Sequence, residues 1–240
     1  MATTDKGRPE YQPHQHRDVS GGWLRPAVFG AMDGLVTNVS LIAGIGGGGG
    51  SQHAILLTGL AGLAAGAFSM AAGEFVSVSS QNELVEAEVD KERKELATNA
   101  AAEQTELVGM LRRRGISAGT ARQAAAEISA HPEQALSVHA LEELGVNPAE
   151  LPSPLVAAAA SLVCFAVGAI IPLLPFLAGF DALGVALGLS ALAALAGGGV
   201  VARLTGKALW RGALRQLVLG ILAAGITYLI GLAIGGLAAG

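Results

Sequence analysis

The 240-residue chain contains one cysteine, Cys164, so intrachain disulfides and cysteine-cluster metal sites are excluded as organising elements. Aromatic residues make up only 4% and charged residues only 14%, too little polarity for an ordinary soluble domain. Charge is missing altogether from residues 34–73, 151–180, 182–202 and 216–240, counting His53 as neutral. No HExxH pattern occurs, and no enzymatic chemistry is expected.

What fills the uncharged stretches is a sequence that is 52% hydrophobic and carries 34 glycines. About 20 apolar residues, rising roughly 1.5 Å each, cross a bilayer core. The first uncharged stretch is long enough to cross twice, with "GIGGGGGSQH" at residues 44–53 supplying the break. The expected fold class is an all-α integral membrane protein with five transmembrane helices and a cytoplasmic helical metal-binding insert between helices 2 and 3. Residues 25–80 hold the first two spans, 81–152 the insert and 153–240 the last three spans. Residues 1–24 are polar, lack the apolar core of a signal peptide, and are expected to form a disordered cytoplasmic tail. Its His14 and His16 fit a solvated linker, with a metal contact the alternative.

The fifteen Lys and Arg residues fall in three places. They are the tail up to Arg25, the middle segment, and the link carrying Arg203, Lys207, Arg211 and Arg215. With five spans all three places share one side, so the positive-inside rule puts the N-terminus in the cytoplasm and the C-terminus outside. The plasma membrane is the expected location.

In residues 81–152, thirteen acids face seven bases, a net charge of about −6. Three helical patterns follow one another. The first continues the second span to about Asn99, the next closes at Gly115, and the third with a short partner covers residues 117–144, with "HPEQ" as a helix start. Glu92, Glu95, Glu103 and Glu106 step by three, eight and three, which sets each close pair on one helix face. Such a face is either solvated or holds a cation, and hard oxygen donors suit Mg²⁺, Ca²⁺, Mn²⁺ or Fe²⁺. His139, four residues before Glu143, is a surface histidine or an added imidazole ligand.

Asp33 and Glu74 are the only acids in apolar spans. An ionised carboxylate in hydrocarbon is costly and is expected to face a water path, a cation or the bundle interior. Met70 stands one turn before Glu74, and antiparallel spans allow Asp33, Met70 and Glu74 to share one depth. Glu74 reaching the interface and Met70 serving as packing are the alternatives.

"GAMDGLVTNVSLIAG", "GLAGLAAGAFSMAAGEF", the acidic insert and "FAVGAIIPLLPF" together resemble the vacuolar iron transporter family, from about Arg25 to the C-terminus. The resemblance implies a homodimeric, proton-coupled antiporter that moves Fe²⁺, and often Mn²⁺, out of the cytosol. Its partners would be divalent metal ions, protons and the lipid bilayer, with no nucleic acid and no cofactor beyond the transported Fe²⁺ or Mn²⁺. It assigns Asp33 and Met70 to the path at the dimer interface, and Glu92, Glu95, Glu103, Glu106 and Glu143 to cytoplasmic metal binding. The chain departs from plant members in three places: Gly62 replaces a glutamate, Glu74 replaces a glycine, and His139 stands where a methionine ligand is expected. The small-residue patterns "GLAAG" at 62–66 and "GLAIG" at 231–235 are compatible with a dimer contact. A membrane-anchored metal buffer or sensor without transport is the alternative function.

Overall fold

A computed structural model describes residues 22–180 and 182–238. The tail with His14 and His16, the loop residue Asp181 and the C-terminal Gly240 lie outside the described residues.

The described chain is helical, with no strand among the described residues: α1 (Leu24–Gly47), α2 (Gln52–Thr98), α3 (Ala100–Arg113), α4 (Ala118–Ser129), α5 (Pro132–His139), α6 (Pro154–Ile170), α7 (Leu174–Leu177), α8 (Leu183–Leu204) and α9 (Leu209–Ala238). A π-helical turn, Ala140–Leu144, prolongs α5. Five segments are long and apolar enough to cross a membrane, and the protein is a multi-pass integral membrane protein.

Local chemistry sets the boundaries. α1 ends in its glycine run, where Gly49 adopts φ +76°, and Ser51 caps α2 by accepting the Ala54 N–H at 3.3 Å. α2 has 47 residues, roughly 70 Å at 1.5 Å per residue, against a hydrocarbon core of about 30 Å. Its apolar first half crosses the membrane. Its acidic second half stands clear of it, which explains how one unbroken helix carries both compositions. α6 stops at Ile170 because Pro172 and Pro175 remove two helical donors, and a 3-10 turn bridges to α7.

α1 is the hub of the membrane region, packing against α2, α6, α8 and α9. Glycine makes this possible. A side chain at Gly34 would run into the Phe165 carbonyl of α6, and one at Gly168 into the Ala31 carbonyl of α1. Gly231 and Gly235 of α9 lie in the same way against Gly44 and Gly48, while Gly66 accommodates the Phe165 ring. Both small-residue patterns considered for a contact between copies are thus occupied within one chain. Small residues permit close approach by whichever helix is adjacent and do not specify it.

Between the second and third spans, two apolar clusters organise the helices. Val89 of α2 packs with Leu136 and Ala140. Leu107 and Met110 of α3 pack with Ala125 of α4. Gly115 at φ +90° closes α3, as the glycine position predicts, and Ser117 caps α4 by accepting the Thr120 N–H. Together these contacts fold α3, α4 and α5 back along the extension of α2.

Candidate metal centre

Four elements bring one donor each to a common point. α2 supplies Glu92, α3 supplies Glu103, α5 supplies His139, and the π-helical turn supplies Glu143. Their donor atoms all lie within 4.8 Å of one another. Donors bound to one ion at about 2.0–2.6 Å cannot be more than about 5 Å apart, so a single cation can engage all four.

His139 is the centre of the group and is fully buried. Its Nδ1 lies 3.0 Å from Glu92 Oε1, 3.2 Å from Glu143 Oε1 and 3.7 Å from Glu103 Oε2. One ring nitrogen carries at most one proton and cannot serve three carboxylates. Glu92 Oε1 and His139 Nε2 are buried and make no hydrogen bond. Burial, and then the Glu143 carboxylate, push the Glu92 carboxyl above the ordinary range, against the pull of His139. Burial also raises Glu103, with His139 opposing and Glu106 adding to the rise. A divalent cation would relieve both the excess negative charge and the unpaired oxygen. Carboxylates with one imidazole favour Fe²⁺, Mn²⁺ or a neighbouring transition metal over Mg²⁺.

Glu95 and Glu106 flank this group without joining it. Glu95 accepts a 3.0 Å hydrogen bond from Asn99 Nδ2, and Glu106 is exposed. Arg114 pairs with Glu142 at 2.9 Å, which keeps that neighbouring carboxylate out of the cluster.

The three residues considered for the membrane path have separate partners. Asp33 accepts a 3.2 Å hydrogen bond from Thr37 and lines a groove of about 420 Å³ with Arg25, Met32 and Gln216. Met70 packs against Ala67, Phe165 and Ala169. Glu74 is paired with Arg25 at 3.2 Å. The Asp33 groove shares Val36 with a second groove of about 850 Å³, lined by Thr37, Ser40 and Gly44 and reaching Gly50. Two open grooves therefore lie along α1 and share Val36 as a wall.

Sequence reasoning missed Arg25 as the partner of Glu74, although an arginine directly before the first apolar run is a signal for it. It also missed Asn38, whose buried amide donates to the Ala169 carbonyl of α6 near the helix break and leaves Oδ1 unpartnered. Asn38 is one polar residue in an uncharged span, and nothing in its spacing marks it.

The fold and this cluster define a five-span membrane protein with an acidic, imidazole-containing centre on an extension of its second span. A model of the VIT family matches residues 24–232, and the chain belongs to that family. It is 35% identical over 230 residues to a vacuolar iron transporter of Acanthamoeba castellanii, covering 93% of this chain and 84% of that protein. It is 36% identical over 209 residues to vacuolar iron transporter homolog 1 of Oryza sativa subsp. japonica, covering 86% and 71%. A VIT-like transporter 1a of Glycine max is 35% identical over 152 residues, covering 63% and 55%.

Proposed function

We propose that the protein transports Fe²⁺, and Mn²⁺ with it, out of the cytosol by exchange for protons. The observation that carries this reading is the convergence of Glu92, Glu103 and Glu143 on the buried Nδ1 of His139. The centre sits on the same helix that crosses the membrane, so captured ions are held beside the bilayer. In this proposal residues 81–152 form a cytoplasmic collecting domain, with Glu95 and Glu106 adding negative potential around the inner four ligands.

From there the ion would follow the two grooves along α1 past Asp33, whose carboxylate exchanges cation for proton. A homodimer closing over these grooves would seal them from lipid, with the N-terminus cytoplasmic and the C-terminus on the far side by the distribution of Lys and Arg. The first two relatives described carry "vacuolar" in their names, whereas the sequence alone leads to the plasma membrane. Export from the cytosol has the same chemistry at either membrane.

Fe²⁺ uptake into liposomes containing the full chain, with and without an opposing pH gradient, tests the proposal. Uptake that rises with the gradient supports exchange. Binding without uptake would establish a membrane-anchored buffer or sensor instead.

A further inference from the structure

The link between α8 and α9 carries a cationic cluster that metal transport does not use. Arg203, Lys207, Arg211 and Arg215 follow at four-residue intervals, and none forms a salt bridge among the described residues. Four cations without an acid in one short hairpin exceed what holding two helices together requires. The α8–α9 contact is made elsewhere, by Gly198 and Gly212 in close apposition.

Beside this cluster, α8 and α9 part to leave an open groove of about 410 Å³. Leu195, Val200, Leu209 and Trp210 line it, and Arg203 is the only charged side chain among its walls. Trp210 is 64% exposed and carries the Arg211 guanidinium 5.3 Å from its ring centroid. That contact holds a positive charge next to the groove. Trp210 opens α9 as Trp23 precedes α1, and these two tryptophans of the chain stand at the same side of alternating spans. Tryptophan at a span end marks the headgroup level of a bilayer. An apolar groove reaching into the membrane, with arginines where headgroups lie, is complementary in charge and polarity to an anionic phospholipid.

We propose that this groove is a binding site for an anionic phospholipid. One acyl chain lies along Leu195 and Val200, the Trp210 indole sits at the level of the glycerol, and the phosphate is held by Arg203 and Arg211. Lys207 and Arg215 extend the positive field without lining the groove. The site is independent of the metal centre and of the direction of transport.

The test uses the purified full chain in neutral detergent, titrated with phosphatidylglycerol, with phosphatidylcholine of the same acyl chains, and with inorganic phosphate, and read by native mass spectrometry. Phosphatidylglycerol is expected to bind at least about tenfold more tightly than phosphatidylcholine, with roughly a fivefold loss for each of Arg203→Gln and Arg211→Gln. Gly199→Leu places a side chain where nothing lies within 4 Å, so it fills the groove without disturbing packing and should weaken both lipids. Arg112→Gln and Arg122→Gln, made singly, each remove equal charge from the insert and should leave the preference intact. Equal binding of the two lipids would overturn the proposal, leaving the arginines as topology signals alone. So would displacement of phosphatidylglycerol by inorganic phosphate, or equal loss in the insert variants.

Discussion

Arg25, at the start of α1, extends its Nη2 to within 3.2 Å of Glu74 Oε2 on α2, joining two neighbouring spans at their polar end. The Arg25 side chain is 77% exposed and that of Glu74 only 12%, so the carboxylate is the sheltered partner. Solvent screening limits such a pair to roughly 1 kcal/mol or less. A double-mutant cycle with Arg25→Gln and Glu74→Gln, read by thermal stability, is expected to give a coupling within that limit. Glu74→Gln should also lower Fe²⁺ transport by more than its effect on stability accounts for. Loss of transport only in proportion to folded protein would make Glu74 a structural partner of Arg25 and nothing more.

Removing His139 tests the metal centre at the residue that all three carboxylates approach. Loss of a group that merely orients a ligand costs roughly 10- to 100-fold in metal affinity. His139→Ala in the full chain should cost at least the upper end of that range for Fe²⁺ and Mn²⁺ by calorimetry. Glu95→Gln, outside the inner group, should cost under about tenfold. Equal losses would mean that the cluster acts by charge alone.

The raised carboxyls of Glu92 and Glu103 make two pH-dependent predictions. Both hold protons in the folded, metal-free protein at a pH where the unfolded chain, with its ordinary value of 4.5, has released them. Their contribution to stability is thus complete below pH 4.5 and is lost as pH rises through the folded values. Metal binding requires both groups ionised, so affinity should increase over the same window and binding should release protons. Calorimetry in buffers of different ionisation enthalpy counts those protons. A count that stays at zero as pH falls toward 4.5 would contradict the shifts.

Asp33→Asn keeps the shape of the side chain and the Thr37 contact while deleting its charge. Transport by this variant should fall at least about tenfold and lose its response to a pH gradient. Met70→Leu preserves volume in the Phe165 cluster, so the protein should fold normally while Fe²⁺ flux decreases, as the path role implied by the family resemblance requires. Unchanged flux and metal preference would assign Met70 to packing.

Gly168 provides an independent test of the membrane core. Valine there would drive its side chain into the Ala31 carbonyl, with no flexible group to yield. Overpacking of this kind costs about 1–3 kcal/mol or more. Gly168→Val should therefore lower the thermal midpoint of the detergent-solubilised protein, whereas Gly188→Val, which meets nothing within 4 Å, should not.

The five spans, the closure at Gly115, the helix start at residue 117 and the length of α2 were legible because each depends on local composition. Apolar length fixes a span, a left-handed turn favours glycine, and a hydroxyl satisfies a helix start, wherever the rest of the chain lies. The acidic spacing also picked out Glu92 and Glu103, and the family resemblance added Glu143. It did not separate them from Glu95 and Glu106, because all are glutamates on exposed-looking helices. That separation was made by α3 and α5 folding back on α2, which buries His139 and brings three carboxylates to its Nδ1. Tertiary packing likewise decided that Gly231 and Gly235 receive α1, that Arg25 pairs with Glu74, and that Asp33 and Met70 have different neighbours within the chain. A helix face is written in the sequence by its periodicity. What that face meets depends on the placement of helices distant in the chain, and no local spacing encodes it.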